Sequence, residues 1–417
     1  MTGANVITGG TYLLELSSGY DSSAFYLDDS LLDGPAVLDG DGEDYNDITD
    51  VVQQITISRG RHKPLDVFGP GTMAVSISVP VGNRTYDPFN TSSVYYNTFT
   101  EQPGLAPLRP IRLSRNGEYL FTGLVTTFNQ TYNMAGMTTY SIFAADNTYV
   151  LAQGFLPETV TTSQTSSARI TAVLSAATYT GATSLTASPT ATLGAYTIPS
   201  GTNVNAYINR IQQAEQGRIF CDRANVLTAQ ERIGTTLAAA TATFDDTGTA
   251  TPYDSIFVEF DQQTVVNNAN ITIESGGTLQ NATNTASISQ YFTQTESIID
   301  SLLSTDGQAA TLASYLLYPI PKPRFTSVST TFASLSDAQK TALAPIEIGD
   351  TVQATKTFTT GTPLTITQDL SVEGIDHVID MNTGHRMTLW TSATTVLSNL
   401  VLDDITYGII NSTNAVG

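Results

Sequence analysis

The chain of 417 residues is long enough to bury several hydrophobic cores and to form two to four domains. Its 38 acidic residues outnumber 17 basic ones, for a formal charge of −21, which excludes nucleic-acid binding driven by counterion release. Hydrophobic residues are 41% and charged residues 13% of the chain, which excludes wholesale disorder. The abundance of Thr, Ser, Asn and Gly favours a turn-rich, mainly β protein over a helical enzyme.

The single cysteine and the missing targeting signals indicate an intracellular origin. Cys221 alone excludes an internal disulfide framework and a cysteine-based zinc site, and its apolar neighbours predict a buried side chain. No stretch has the length of a membrane span, and the first residues lack the pattern of a signal peptide. We therefore expect synthesis in a cytoplasm and release by lysis.

Residues 1–50 combine a short predicted strand at 12–16 with an acidic, glycine-rich stretch. Residues 39–44 (DGDGED) cluster carboxylates, which hard cations such as calcium prefer. The stretch lacks the full spacing of a calcium loop, with no glutamate at the twelfth position. The alternative is a solvated acidic loop.

Residues 51–90 predict two half-buried antiparallel strands joined by a long loop. The first strand covers 52–58, and the second alternates apolar and small residues from Met73 to Val79. The loop between them begins with a cationic island of five consecutive residues: Arg59, Gly60, Arg61, His62 and Lys63. A turn at 83–90, which contains Arg84 and Asp87, follows the second strand.

Residues 91–150 remain β in character. Apolar residues alternate with arginines at 111–113, a strand is predicted at 121–125 around Gly123, and a closing strand at 139–144. Together with the preceding strands, these are enough to close a small barrel or sandwich.

Residues 151–235 predict an α+β segment. Apolar residues at helical spacing indicate a helix at 166–177 behind a serine cap. A second helix is predicted at 205–216, ended by Gly217, and a hairpin starts at Arg218.

From residue 236 the pattern returns to β, interrupted by two helices. The first helix is predicted at 306–318, before three prolines, and a strand at 324–332 follows it. Ser336 and Gln339 have the spacing of a capping box that opens the second helix. A strand is predicted at 346–352, and it includes Gly349 and Asp350.

The last β segment can be aligned with the first. Residues 121–124 match 372–375, which places Gly374 opposite Gly123, and residues 140–144 match 387–391. Strands of matching type at 110–114 and 349–355 precede the two segments. The sequence therefore predicts an internal duplication of one β unit, with an α+β insertion between the copies.

Several of these motifs resemble the minor tail proteins, or tail hubs, of long-tailed bacteriophages, which are related to the hub of contractile-tail baseplates. The matching residues are Ser58 to Arg61, Phe68, Gly71, Thr72, Arg84, Asp87, Pro88, Asn90, Glu215, Gly217, Arg218, Asp222 and Arg232. Residues 287–291 and 346–352 also match, although Phe292 stands where the family has glycine. The resemblance covers nearly the whole chain in the same order.

The resemblance and the duplication together predict a mainly β fold with two tail-tube-like β-barrels and an α+β insertion. We expect a first barrel with its acidic loop at 1–150, the insertion at 151–235, and a linking β segment with a helix at 236–323. A second barrel at 324–395 and a C-terminal tail at 396–417 complete the predicted organisation. The tail is expected to pack on its own barrel or on a neighbouring subunit.

The family implies a structural role in the virion, at the tail tip. A trimeric ring would continue the tail tube and let DNA pass, with the distal tail, tape-measure and tip or fibre proteins as neighbours. Alternatives are a hexameric distal tail protein and, in another class, a β-rich carbohydrate-binding or glycan-cleaving protein. The cationic island is expected either to contact an acidic surface of a neighbouring ring or to be solvated.

No catalytic motif, cofactor site or metal site is predicted. The sequence has no nucleophile elbow, zinc-protease motif or phosphate loop. His377 and His385 flank a predicted hairpin, and a metal site there would need a third ligand such as Asp376 or Asp380. The favoured interpretation is a pair of exposed histidines. The structural and interface candidates are Arg59, Gly60, Arg61, Lys63, Arg84, Asp87, Gly123, Gly217, Arg218, Gly349, Asp350 and Gly374.

Overall fold

The computed structural model describes residues 10–18, 45–63, 66–97, 101–232, 239–274 and 276–393. The acidic stretch at 39–44 and the C-terminal tail at 396–417 lie outside these residues, so the calcium hypothesis and the packing of the tail stay predictions. No helix in the described ranges is long and apolar enough to cross a membrane. Three hydrophobic cores organise the described chain.

Seven strands around one core form the first β unit, in the sheet order β2-β1-β7-β8-β9-β4-β3 with every neighbouring pair antiparallel. Met73, Val75, Ile77 and Val79 are all buried in this core, as their alternation predicts. The elements up to residue 145, which include a 3-10 turn at Thr49–Val51, are β1 Tyr12–Ser17, β2 Tyr45–Asp47, β3 Val52–Gly60, β4 Thr72–Pro80, β5 Tyr96–Asn97, β6 Gln102–Pro103, β7 Pro110–Arg115, β8 Glu118–Thr131 and β9 Met137–Ala145.

The insertion follows as helices packed on short strands. Its first elements are α1 Asn147–Gln153, β10 Phe155–Leu156, β11 Thr159–Val160, β12 Gln164–Thr165, α2 Ser166–Ala176, β13 Thr183–Leu185, β14 Thr192–Leu193, β15 Thr197–Ile198, β16 Thr202–Asn203, α3 Val204–Glu215, β17 Arg218–Cys221 and β18 Leu227–Gln230. Both long helices are where the apolar spacing predicts them. The cap of α2 is the side chain of Thr165, not a serine, and Cys221 is buried as expected.

The chain then enters the second β unit at 242–259, returns to the insertion at 269–316, and completes the second β unit from residue 324. These elements, with 3-10 turns at Gln262–Thr264 and Phe332–Ser334, are β19 Ala242–Asp245, β20 Thr251–Pro252, β21 Ser255–Glu259, β22 Asn268–Ile273, β23 Gln280–Thr283, α4 Thr285–Tyr291, β24 Thr295–Ser301, α5 Asp306–Leu316, β25 Arg324–Thr331, α6 Asp337–Leu343, β26 Thr351–Thr357, β27 Thr365–Asp380 and β28 Gly384–Ala393. The capping box at Ser336 and Gln339 is confirmed. Of the strand predicted at 346–352, only the last two residues are extended in a sheet.

The core of the insertion runs across the boundary predicted near residue 235. Apolar residues from 151–229 and from 269–316 share one core, so the insertion is made of two chain segments. Between those segments, β19 pairs with β26 and β21 pairs with β25, so residues 242–259 belong to the second β unit. Local patterns could not show this exchange, because both segments have ordinary strand alternation.

The two β units repeat one topology. In the first, β3, β4, β7, β8 and β9 lie in the sheet order β7-β8-β9-β4-β3; in the second, β21, β25, β26, β27 and β28 lie in the order β26-β27-β28-β25-β21. Chain order and sheet order therefore correspond strand by strand, and all these pairs are antiparallel. The predicted fold class, mainly β with two like units around an α+β insertion, is confirmed.

The registers correct one part of the predicted alignment. β8 bulges at Thr126 after Val125 pairs with Ala144, and β27 bulges at Glu373 after Val372 pairs with Thr391. The match of 140–144 to 387–391 therefore holds, and Thr126 is the counterpart of Glu373.

The two aligned glycines are not equivalent, because these bulges set a different offset along β8 and β27. Gly123 pairs with Ile111 and corresponds to Leu370, which pairs with Val352. Gly374 corresponds to Thr127.

Candidate functional site

The two β units join through a seam in which β3 pairs antiparallel with the second half of β27, from Gly374 opposite Gly60 to Asp380 opposite Gln54. Gly60 has φ +86°, and a Cβ there would overlap the carbonyl oxygen of Glu373. A Cβ on Gly374 would lie 2.5 Å from the carbonyl oxygen of Arg61. Both predicted glycines are thus required by one close backbone approach, at the end of the seam.

A buried ion cluster closes that end of the seam. Glu373, which is 1% exposed, accepts from Arg218 at 2.7 Å and from Arg61 at 2.8 Å. Ser392 donates to the same carboxylate at 2.7 Å, and Arg218 also donates to Ser371. Burial alone would raise the pKa of Glu373, but the two arginines and these hydrogen bonds hold it below its ordinary value. The cluster joins the first β unit, the insertion and the second β unit.

A second ion pair lies beside the cluster. Arg59 is buried and donates to Glu347 at 2.7 Å, and the other oxygen of Glu347 accepts from the backbone N–H of Arg223 in the insertion. Asp350 accepts from the N–H of Glu347, and burial raises the pKa of Asp350. Gly349, at φ +95°, donates its N–H to the carbonyl of Val372. The turn at 346–350, directly before β26, therefore holds the seam through hydrogen bonds and an ion pair.

The cationic island was expected either to contact a neighbouring ring or to be solvated, and both interpretations assumed exposed charges. That assumption is wrong for Arg59 and Arg61, whose side chains are 3% and 12% exposed. Arg59 pairs with Glu347 and Arg61 pairs with Glu373. Both acidic residues belong to the second β unit and lie about three hundred positions away in sequence. Lys63 is exposed. His62 stacks on Trp390 with ring centroids 4.2 Å apart. The island is mainly an internal joint between the units.

The two other predicted histidines are buried, so the expectation of an exposed hairpin pair is wrong. His377 Nδ1 lies 2.9 Å from His385 Nε2, and His385 Nδ1 lies 2.8 Å from the hydroxyl of Tyr12. Burial lowers the pKa of His377 to about 3 and that of His385 well below its usual value, so both rings are neutral at physiological pH. Within the described residues, no group of three His, Cys, Asp or Glu side chains could hold a metal ion.

Hydrogen bonds to Asp87 hold the turn at 83–90 in place. Asp87 is buried and accepts from Arg84 at 2.6 Å, from the hydroxyl of Tyr132 at 2.8 Å and from the N–H of Phe89 at 2.9 Å. Burial opposes ionisation, but these hydrogen bonds hold the pKa of Asp87 below its ordinary range. The turn is thereby tied to the tip of the β8–β9 hairpin.

The remaining glycines serve close packing. A Cβ on Gly123 would lie 2.5 Å from the carbonyl oxygen of Ala145, and one on Gly217 would overlap that of Gln230. The residue that ends α3 in the left-handed conformation is Gln216, not Gly217 as predicted. Phe292 has φ +59°, a positive backbone angle that favours glycine, at the position where the resembled family has glycine.

No protein-family model matches the chain, and no curated protein sequence matches it. Solved structures do match. The chain is similar to the 43 kDa tail protein of prophage MuSo2 from Shewanella oneidensis, with a TM-score of 0.59 and 12% identity over 92% of this chain and 99% of that one. It is also similar to a tail protein from Neisseria meningitidis MC58, with a TM-score of 0.61 and 10% identity over 92% and 97%.

A further similar structure is the prophage tail protein gp18 from Listeria monocytogenes EGD-e, with a TM-score of 0.50 and 11% identity over 85% of this chain and 93% of that one. Identities this low establish the fold and not the activity. The fold of the chain is that of phage tail proteins, which confirms at the level of fold the resemblance detected in the sequence motifs.

Proposed function

We propose that the chain is a structural, non-enzymatic component of a phage tail tip, a hub subunit of which three copies close a ring that continues the tail tube. The observation that carries the proposal is the repeated strand order of the two β units. The fold shared with phage tail proteins supports the assignment to a tail.

The duplication explains why three copies suit this position. The resemblance implies a sixfold tube ending in a threefold tip. Three chains with two like β units each would present six similar units to such a tube, and rings close by repeating one heterologous contact. The seam between β3 and β27 shows that two such units can join edge to edge within one chain.

The charge of the chain suits the passage of DNA through such a ring. A net charge of −21 disfavours adhesion of a polyanion, which would otherwise slow ejection. We propose no sequence-specific contact with nucleic acid. The proposed neighbours are the distal tail, tape-measure and tip or fibre proteins, in a virion assembled in the bacterial host.

The mass of the assembled protein tests the proposal. Native mass spectrometry of the full chain, whose subunit mass is 44.4 kDa, should give three copies. Six copies would favour the distal tail alternative, and a single copy in assembled tails would overturn the hub assignment. Incubation with host cell-wall glycan should give neither retention nor release, and either one would support the carbohydrate alternative instead.

A further inference from the structure

Among the described strands, two edges lack the neighbour that their counterparts have in the seam. β27 is 16 residues long and uses one side in two parts, because residues 365–371 pair with β26 and residues 374–380 pair with β3. Its other side pairs with β28 from Leu370 to Asp380. One long strand therefore spans both β units.

β8 is the counterpart of β27 in the first β unit, but only the first of its two halves is covered. Residues 118–124 pair with β7, and Val125 bonds the backbone at Leu108 and Arg109. Beyond that point, within the described chain, β9 is the only strand that pairs with β8. The second half of β8 thus has an open side where β27 has β3.

The counterpart of β3 in the second unit is β21, and it too has an open side. Among the described strands, β21 pairs only with β25, whereas β3 pairs with both β4 and β27. Phe257 and Val258 of β21 are 60% and 49% exposed. An edge strand that exposes large apolar side chains is an aggregation hazard unless another strand covers it.

We infer that β21 of one copy pairs antiparallel with the second half of β8 in the next copy, which repeats between chains the contact that β3 makes with β27 within one. A second copy is the occupant that fits both edges, because each strand lacks the neighbour that its counterpart has in the internal seam and the two do not pair within one chain. The inference rests on the proposed ring and names the strands that close it.

The internal seam also gives the register. Val378 pairs with Thr56 and His377 pairs with Ile57. Val378 pairs with Arg386 as Thr131 pairs with Thr139, so Thr131 is the counterpart of Val378. Thr56 pairs with Ala74 as Phe257 pairs with Ser327, so Phe257 is the counterpart of Thr56. Phe257 of one copy therefore lies opposite Thr131 of the next, and Val258 lies opposite Gln130.

Paired cysteines test this register. Directly opposed residues have Cβ atoms about 4.5–5.5 Å apart, close to the separation a disulfide needs. We expect the Thr131→Cys, Phe257→Cys variant to form covalent dimers and trimers on mild oxidation, with no larger species. The control is Thr127→Cys with Phe257→Cys, which lies on the same face of β8 but is displaced by four residues, about 13 Å. The native Cys221 is buried and can remain.

The outcomes separate the inference from the proposed function. Each single-cysteine variant should keep the parent mass in native mass spectrometry and stay monomeric in non-reducing denaturing gels. A native mass of three copies without crosslinking of the in-register pair, or with equal crosslinking of the control, overturns the strand pairing and leaves the ring intact. A native mass of one copy without crosslinks rejects both.

Discussion

Replacing Glu373 by glutamine tests whether the ion cluster holds the two β units and the insertion together. The carboxylate is the only acidic group that the described structure places on both Arg61 and Arg218. Glutamine has nearly the same size and can still accept a hydrogen bond, so the change removes charge while leaving the packing. It leaves two guanidinium groups near 12% and 6% side-chain exposure without their counter-ion.

The magnitude follows from the burial. Breaking a buried ion pair by removing one partner costs about 3–5 kcal/mol, because the remaining charge stays desolvated. Ser371, which accepts from Arg218, is a neutral partner and cannot replace the carboxylate. We therefore expect Glu373→Gln to lower the free energy of unfolding by about 3–5 kcal/mol.

The matched control is Glu274→Gln. Glu274 pairs with Arg210 at 2.7 Å, the distance found between Glu373 and Arg218, but both members are about 40% exposed. An exposed pair contributes roughly 0–1 kcal/mol, so this variant should be nearly neutral. Urea unfolding followed by the fluorescence of Trp390 measures both variants, since Trp390 lies beside the seam and donates to Asp376. Equal losses in the two variants would refute the argument from burial.

Three further predictions concern single positions. Gly117→Ala should lower the free energy of unfolding by about 1–2 kcal/mol because of its positive φ, and Gly60→Ala should lower it by clearly more. Both glycines have positive φ, but only at Gly60 would the new Cβ overlap backbone atoms. Urea unfolding would measure both variants. His377 has its pKa lowered by burial to about 3, so the unfolded chain takes up a proton that the folded chain refuses. His377 alone should therefore lower the free energy of unfolding by up to ~1.4 kcal/mol per pH unit as the pH drops from about 6.5 towards 3, and His385 should add to this slope in the same direction. His377→Gln should make the slope shallower. Ser336→Ala should cost about 1 kcal/mol by removing the capping box, and thermal unfolding would detect it.

The sequence predicts the elements whose cause is local. Alternation gives β4 and the strands of both β units, apolar spacing gives α2 and α3, and the spacing of Ser336 to Gln339 gives the start of α6. Each depends on side chains a few residues apart, so the pattern and its cause lie in the same stretch.

The seam could not be predicted in this way, because its partners are distant in sequence. No local pattern around Arg61 predicts its contact with Glu373, and none around His385 predicts its contact with Tyr12. The sequence did single out Gly60 and Gly374, but Gly60 as part of the cationic island and of a family motif, and Gly374 through the repeat alignment. The signal that was missed is the combination of two arginines at the end of β3 with a buried acid, Glu373, on β27 of the other unit.

The contact between copies should be weaker than the seam it repeats, because the features that strengthen the seam have no counterpart in β8. Thr126 takes the place of Glu373, so the buried carboxylate is missing, and Thr127 takes the place of Gly374, so the backbones cannot approach as closely at that end.

Strand pairing and the burial of Phe257 and Val258 are then the main sources of stability between copies. We expect urea to dissociate the ring to single copies before the fluorescence of Trp390 changes. Native mass spectrometry and fluorescence along one urea series would measure both steps, and their coincidence would contradict the difference in strength that the structure implies.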